Sequence, residues 1–204
     1  INHWRNCKGR RNMRIIDSYS KYLCSISELS RDKDRGISFL EDDEKSHRMY
    51  NFDGIKKTIC KKIRGEKNYS CDAYWEKNNK KYFIEFKNQA EGNISRENLW
   101  NKAYDSAAML LINENITREE LAQKAVLIIV YNNQRHLSDA SSYNPSQSMD
   151  KFTKKIKGFA KLTGVDQLPV KFGLDKFKDI LYHEVHTLGV EDFKKYFYPV
   201  LFDL

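Results

Sequence analysis

Asp72, Glu85 and Lys87 are the residues of this chain whose types and spacing best suit chemistry. They lie in "SCDAYWEKNNKKYFIEFKNQ", where two runs rich in Tyr, Trp, Phe and Ile flank Asn78-Asn79. Such runs read as strands, and paired asparagines tolerate the positive φ of a tight hairpin turn. A two-residue turn sets each residue opposite the one equally far from it on the other strand, so Asp72 is expected opposite Glu85. Directly opposed Cβ atoms lie about 5 Å apart, and two carboxylates there repel. A divalent cation between them would remove the repulsion, and Mg²⁺ suits a few carboxylates completed by water and phosphate oxygens. Lys87, two residues along the same face, would stand at the edge of that site. There it could orient or activate a water, or neutralise charge building on a phosphate under attack. The same spacing also suits plain ion pairs from Lys87 to Asp72 and Glu85.

The neighbouring elements must hold these side chains in place. In "ISRENLWNKAYDSAAMLLIN", Leu99, Ala103, Ala107 and Leu110 or Leu111 form an apolar helical stripe, with Asn98, Lys102 and Asp105 as a polar stripe beside it. Packed on the sheet, this helix would turn Lys102 toward the same cleft. "AVLIIVYNN" (125–133) is a branched apolar run that predicts a central strand buried on both faces. "ITREELAQKA" carries a capping box, Thr117 with Glu120, and Ile116 is placed to staple onto Leu121. "NFDGIKKTICKKIRG" predicts an amphipathic helix with Ile55, Ile59 and Ile63 inward and Gly65 as its stop.

The remainder is read more coarsely. Spacing in "SYSKYLCSISELS" predicts a helix over 18–30, and 37–50 reads as a connecting segment. The Ser-rich stretch 134–150 reads as a long surface loop, followed by helices at about 151–163, 174–188 and 190–197. The middle one would be buried through Leu174, Phe177, Leu181, Val185 and Leu188. This order predicts one α/β domain over 1–204, with a small mixed β-sheet flanked by helices. Its core would span about 53–133, with an N-terminal helical extension (1–50) and a C-terminal helical part (151–204).

Composition narrows the partners. The chain has 204 residues, of which 31% are charged and 13% aromatic, enough aromatic surface to build a core that a disordered chain lacks. The formal net charge is +8, and Lys and Arg crowd the windows 5–14, 56–67 and 151–161 with almost no acid among them. A phosphate backbone is the natural partner for such windows, with Lys56, Lys57, Lys61 and Lys62 as its contacts; a solvated Lys-rich surface is the plainer alternative. Cys7, Cys24, Cys60 and Cys71 have neither zinc-ribbon spacing nor the density of a disulfide scaffold, so reduced thiols are expected. No apolar run approaches a membrane span and no signal-peptide core is visible, so the expected place is cytoplasmic, away from membrane. In "YHEVH", His183 and His186 are three residues apart rather than the four of the zinc-protease helix, so no metal role is assigned.

Asp72 in "SCDAYW", followed by Glu85 and Lys87 in "IEFKNQ", resembles the PD-(D/E)xK nuclease superfamily. The likeness covers about residues 53–133. It implies a restriction endonuclease-like core, one or two Mg²⁺ ions with Mn²⁺ able to substitute, and hydrolysis of phosphodiester bonds, DNA ahead of RNA. By that likeness Asp72 and Glu85 hold the metal, Lys87 completes the Glu-x-Lys, Gln89 is the polar residue that often follows, and Lys102 takes the place of a further Lys or Gln on the next helix. Cys71 stands where the motif has proline, and the acid expected on the first core helix is left between Asp53 and Glu44, with Asp53 also suited to an N-cap. The expected partner is therefore nucleic acid, with a homodimer compatible. The competing readings are a non-catalytic, basic nucleic-acid-binding domain of the same fold, and a basic domain that binds an acidic protein.

Overall fold

The hairpin around Asn78-Asn79 forms as its turn residues predict: both asparagines take positive φ, 50° and 61°, and strands β3 (Ala73–Lys77) and β4 (Lys80–Lys87) pair from Lys77↔Lys80 to Ala73↔Ile84. The computed structural model describes residues 19–32, 36–63, 69–89, 91–133 and 168–203, with the backbone alone for 61–63. The remaining described elements are β1 (Leu23–Ser25), α1 (Ile26–Leu29), β2 (Arg48–Asn51), α2 (Phe52–Ile63), α3 (Arg96–Glu114), α4 (Arg118–Lys124), β5 (Ala125–Tyr131), β6 (Glu184–Gly189) and α5 (Val190–Phe202). They build a mixed α/β structure.

The six described strands lie in the order β1-β2-β3-β4-β5-β6. The first four run antiparallel as a meander, whereas β5 and β6 are parallel to β4 and to each other. Joining β4 to β5 in parallel needs a crossover, and α3 with α4 supplies it. Alternation along β4 divides the core between two layers. Phe83 joins the core cluster that holds Ile55, Ile59, Leu99, Ala103 and Ala107 of α2 and α3, while Tyr82, Ile84 and Phe86 join the one that holds Phe193, Phe197 and Leu201 of α5. Strand β5 is buried at every position, as a strand covered on both faces should be.

Two helical expectations fail. Of the helix expected over 18–30, the described residues from 19 onward form a 3-10 turn at Ser20–Tyr22, then β1, then the single turn α1. A capping box is the signal against a longer helix: the Ser25 hydroxyl accepts from Glu28 N–H while the Glu28 carboxylate accepts from Ser25 N–H, which starts a helix at Ile26 and no earlier. The segment 37–50, read as connection, ends in β2, which pairs with both β1 and β3. Residues 174–188 are likewise not a helix. A 3-10 turn at Asp175–Phe177 leads to β6, where Val185 and Leu188 point to opposite layers. Apolar residues on both faces of a covered strand imitate helical spacing, and pairing with β5 decides between the two. The N-terminal and C-terminal parts are therefore not wholly helical. The helix expected at 190–197 forms as α5 and runs on to Phe202. The loop expected at 134–150, the helix expected at 151–163, the stop at Gly65 and the basic windows 5–14 and 151–161 lie outside the described residues.

Candidate functional site

Helix α3 runs against β4, and their charges meet in series. At one end Lys81 Nζ lies 2.7 Å from Glu114 Oε2 and 3.0 Å from Glu76 Oε1; at the other, Lys87 Nζ donates to Asn98 Oδ1 at 3.2 Å. Lys81, Glu85 and Lys87 all share the α3-facing side of β4, because positions two apart point the same way. Between the two ends, Lys102 Nζ reaches both Glu85 carboxylate oxygens, at 2.7 and 2.8 Å, and approaches Asp72 Oδ1 at 3.4 Å. Lys87 Nζ lies 2.8 Å from Glu85 Oε1. The polar stripe on α3 works as its spacing predicts, and Asp105 completes it by accepting from Tyr69 N–H at 2.7 Å.

Asp72 departs from the expected register. The β3–β4 ladder ends at Ala73↔Ile84, and Asp72 does not pair through its backbone with Glu85. Its carbonyl accepts from Phe52 N–H at 3.0 Å, while its carboxylate Oδ2 accepts from Phe86 N–H at 2.8 Å. A side chain thus replaces the next ladder bond. The two carboxylates still converge, with Lys102 between them.

Electrostatics follow from this enclosure. Glu85 is fully buried and Asp72 about four-fifths buried. Burial first, and the Glu85 carboxylate second, push the Asp72 carboxyl up to about 7, against the opposing pull of Lys102, the Phe86 N–H and Lys87. Burial alone would lower Lys102, but Glu85 and Asp72 outweigh it and hold the ammonium above the ordinary lysine range. Burial, with Glu85 behind it, also raises the Cys71 thiol far above its usual range. Cys71 therefore carries an inert thiol, and its backbone N–H donates to Ser106 Oγ at 2.9 Å.

Asp72, Glu85, Lys87, Gln89 and Lys102 all line one open cleft of about 370 Å³ at the carboxyl end of β4. Asp53 and Glu28 line it too; Glu44 does not, lying instead near Ser46 and His47. Asp53 is not an N-cap. Asn51 fills that role, its Oδ1 accepting from Gly54 N–H at 2.9 Å, while Asp53 in the first turn of α2 pairs with Lys56 at 3.0 Å and accepts a hydrogen bond from Ser70 Oγ. Lys56 is thus committed to Asp53, Lys57 is exposed, and the side chains of Lys61 and Lys62 lie outside the described residues. The far side of the cleft, from Glu28 to Asp32, has no local sequence signature that points to it.

The donor set fits a hard divalent cation in kind: two carboxylates on an open cleft, with room for water and phosphate oxygens to complete the shell. Among the described residues, no group of three or more His, Cys, Asp and Glu stands ready to hold a metal unaided. Lys102 already bridges the two carboxylates as a cation would, so an ion bound there must displace its ammonium, a movement its flexible stem allows. Compared with protein-family models, with curated proteins and with solved structures, the chain matches none. No helix among the described residues is long and apolar enough to cross a membrane.

Proposed function

We propose that this protein is a metal-dependent nuclease that hydrolyses phosphodiester bonds of nucleic acid, DNA ahead of RNA. The observation that carries the reading is the convergence of Asp72 and Glu85, with Lys87 and Lys102, on one open cleft at a strand's carboxyl end. The resemblance of Asp72 with Glu85-Phe86-Lys87 to the PD-(D/E)xK pattern supports it, as does the net charge of +8.

Asp72 Oδ1 and Glu85 would hold the Mg²⁺, which supplies Lewis acidity toward the phosphate and lowers the pKa of a bound water. Lys87 is fixed by two acceptors, Glu85 Oε1 and Asn98 Oδ1, so its ammonium keeps one position at the cleft. From there it offsets charge that develops on the phosphate oxygens and orients the attacking water. Lys102 stays protonated, and its ammonium balances the two carboxylates until an ion takes its place between them.

A second reading rests on the same contacts. Two ammonium groups already balance two carboxylates, which suits a basic nucleic-acid-binding domain whose cluster is structural. Incubation with single- and double-stranded DNA and RNA, in Mg²⁺, Mn²⁺ or EDTA, separates the two. Cleavage in metal that Asp72→Ala, Glu85→Ala and Lys87→Ala abolish, while binding persists, is the expected outcome. Binding without cleavage under any metal selects the second reading.

A further inference from the structure

We infer that Arg31 grips a phosphate of the substrate strand next to the one under attack, an assignment that rests on the nuclease reading of the cleft. Among the described residues, three cationic side chains line the cleft: Arg31, Lys87 and Lys102. Both lysines are committed, Lys87 to Glu85 at 2.8 Å and Lys102 to Glu85 at 2.7 Å. Arg31 is exposed, and among the described residues its guanidinium has no ion pair or hydrogen bond. The same cleft carries the carboxylates of Glu28, Asp32, Asp53, Asp72 and Glu85. A polyanion entering it meets more acid than base, so an uncommitted cation is needed beyond any charge at the reacting phosphate.

The backbone beneath Arg31 is well held. Ser30 Oγ donates to Leu40 O at 3.2 Å and accepts from Leu40 N–H at 3.3 Å; Ser38 Oγ donates to Ser27 O at 2.6 Å. Arg31 also bridges to Ser38, and Asp32 N–H donates to Ile37 O at 2.9 Å. Backbone tied on both sides of Arg31 therefore presents a guanidinium without a partner among the described residues, whose planar fork suits two phosphate oxygens. This is the arrangement of a docking contact rather than of a structural arginine.

The test compares Arg31→Ala, Arg31→Lys and Arg118→Ala, the last removing the same charge from exposed α4, outside the cleft. Cleavage kinetics on an oligonucleotide are read in Mg²⁺, and oligonucleotide binding in EDTA. Loss of one charge-assisted contact should raise KM and weaken EDTA binding roughly tenfold or more for Arg31→Ala, with kcat little changed, part of the loss restored in Arg31→Lys and none seen in Arg118→Ala. If the parent cleaves and Arg31→Ala behaves as Arg118→Ala does, the assignment to Arg31 falls while the nuclease reading stands. If the parent never cleaves, the nuclease reading falls. Arg31 is then judged by EDTA binding alone, where a loss specific to Arg31→Ala upholds the phosphate contact and its absence overturns it.

Discussion

Replacing Asp72 by asparagine tests the site through stability, without any need for activity. The Asp72 carboxyl is raised from 3.8 to about 7 in the folded protein by burial and by Glu85. A carboxyl raised on folding contributes stability that is fully present below its unfolded pKa and lost as pH rises through its folded one. The window thus runs from about pH 4 to about pH 7, where the folded state binds a proton that the unfolded state has released. At about 1.4 kcal/mol for each pH unit across that window, the metal-free protein loses about 4 kcal/mol by its upper end. The asparagine side chain in Asp72→Asn has no proton to lose, and its amide oxygen can still accept from Phe86 N–H. Asp72→Asn should therefore match the parent near pH 4 and exceed it by up to about 4 kcal/mol near pH 8, a rise in Tm of roughly 10 °C for a chain this long. Urea and thermal melts followed by circular dichroism in EDTA across that range give the curve. Added Mg²⁺ should then stabilise the parent by about 2.7 kcal/mol when the ion is at a hundredfold its Kd, and leave Asp72→Asn nearly unmoved. A lower Tm for Asp72→Asn at both ends of the range, with no Mg²⁺ shift in the parent, would refute the reasoning and make Asp72 a structural partner of Lys102.

The buried pair at the centre should respond in the opposite sense. Lys102→Met leaves the fully buried Glu85 with Lys87 as its remaining cation, and should cost about 3 kcal/mol; adding Glu85→Gln should recover much of that. A double-mutant cycle by chemical denaturation that shows no coupling would dismiss the pair as an energetic unit. For binding, Lys57→Ala together with Lys56→Ala, Lys61→Ala and Lys62→Ala should weaken affinity alike across nucleic-acid sequences and flatten the dependence of log K on log salt by about 0.9 for each lysine that neutralises a phosphate on duplex DNA. Lys56 is already paired with Asp53, so its single substitution should move the slope less than that of Lys57. An unchanged slope in the quadruple variant would place the phosphate contacts elsewhere.

What the sequence by itself determined is local. Asn78-Asn79 specified the hairpin and its register, because no long-range contact is needed to choose a turn with two positive φ angles. The apolar stripe Leu99, Ala103, Ala107 and Leu110 told which side of α3 is buried, and so which side carries Asn98 and Lys102. Thr117 marked the start of α4 by accepting from Glu120 N–H, and the branched run 125–131 became a strand buried on both faces. Only the tertiary structure decided the rest. Val185 to Leu188 satisfy a helical pattern as well as a strand covered on two sides, and hydrogen bonding to β5 settles the matter. Asp72 leaves its ladder because Phe52 N–H and Phe86 N–H, from two different elements, claim its two oxygen-bearing groups. Lys102 meets Glu85 because the crossover lays α3 against β4, and Arg31 reaches the same cleft because β1 and α1 fold in beside β2. These are contacts between residues far apart in the chain, for which periodicity and capping carry no information; the packing of the sheet's two layers is what brings them together.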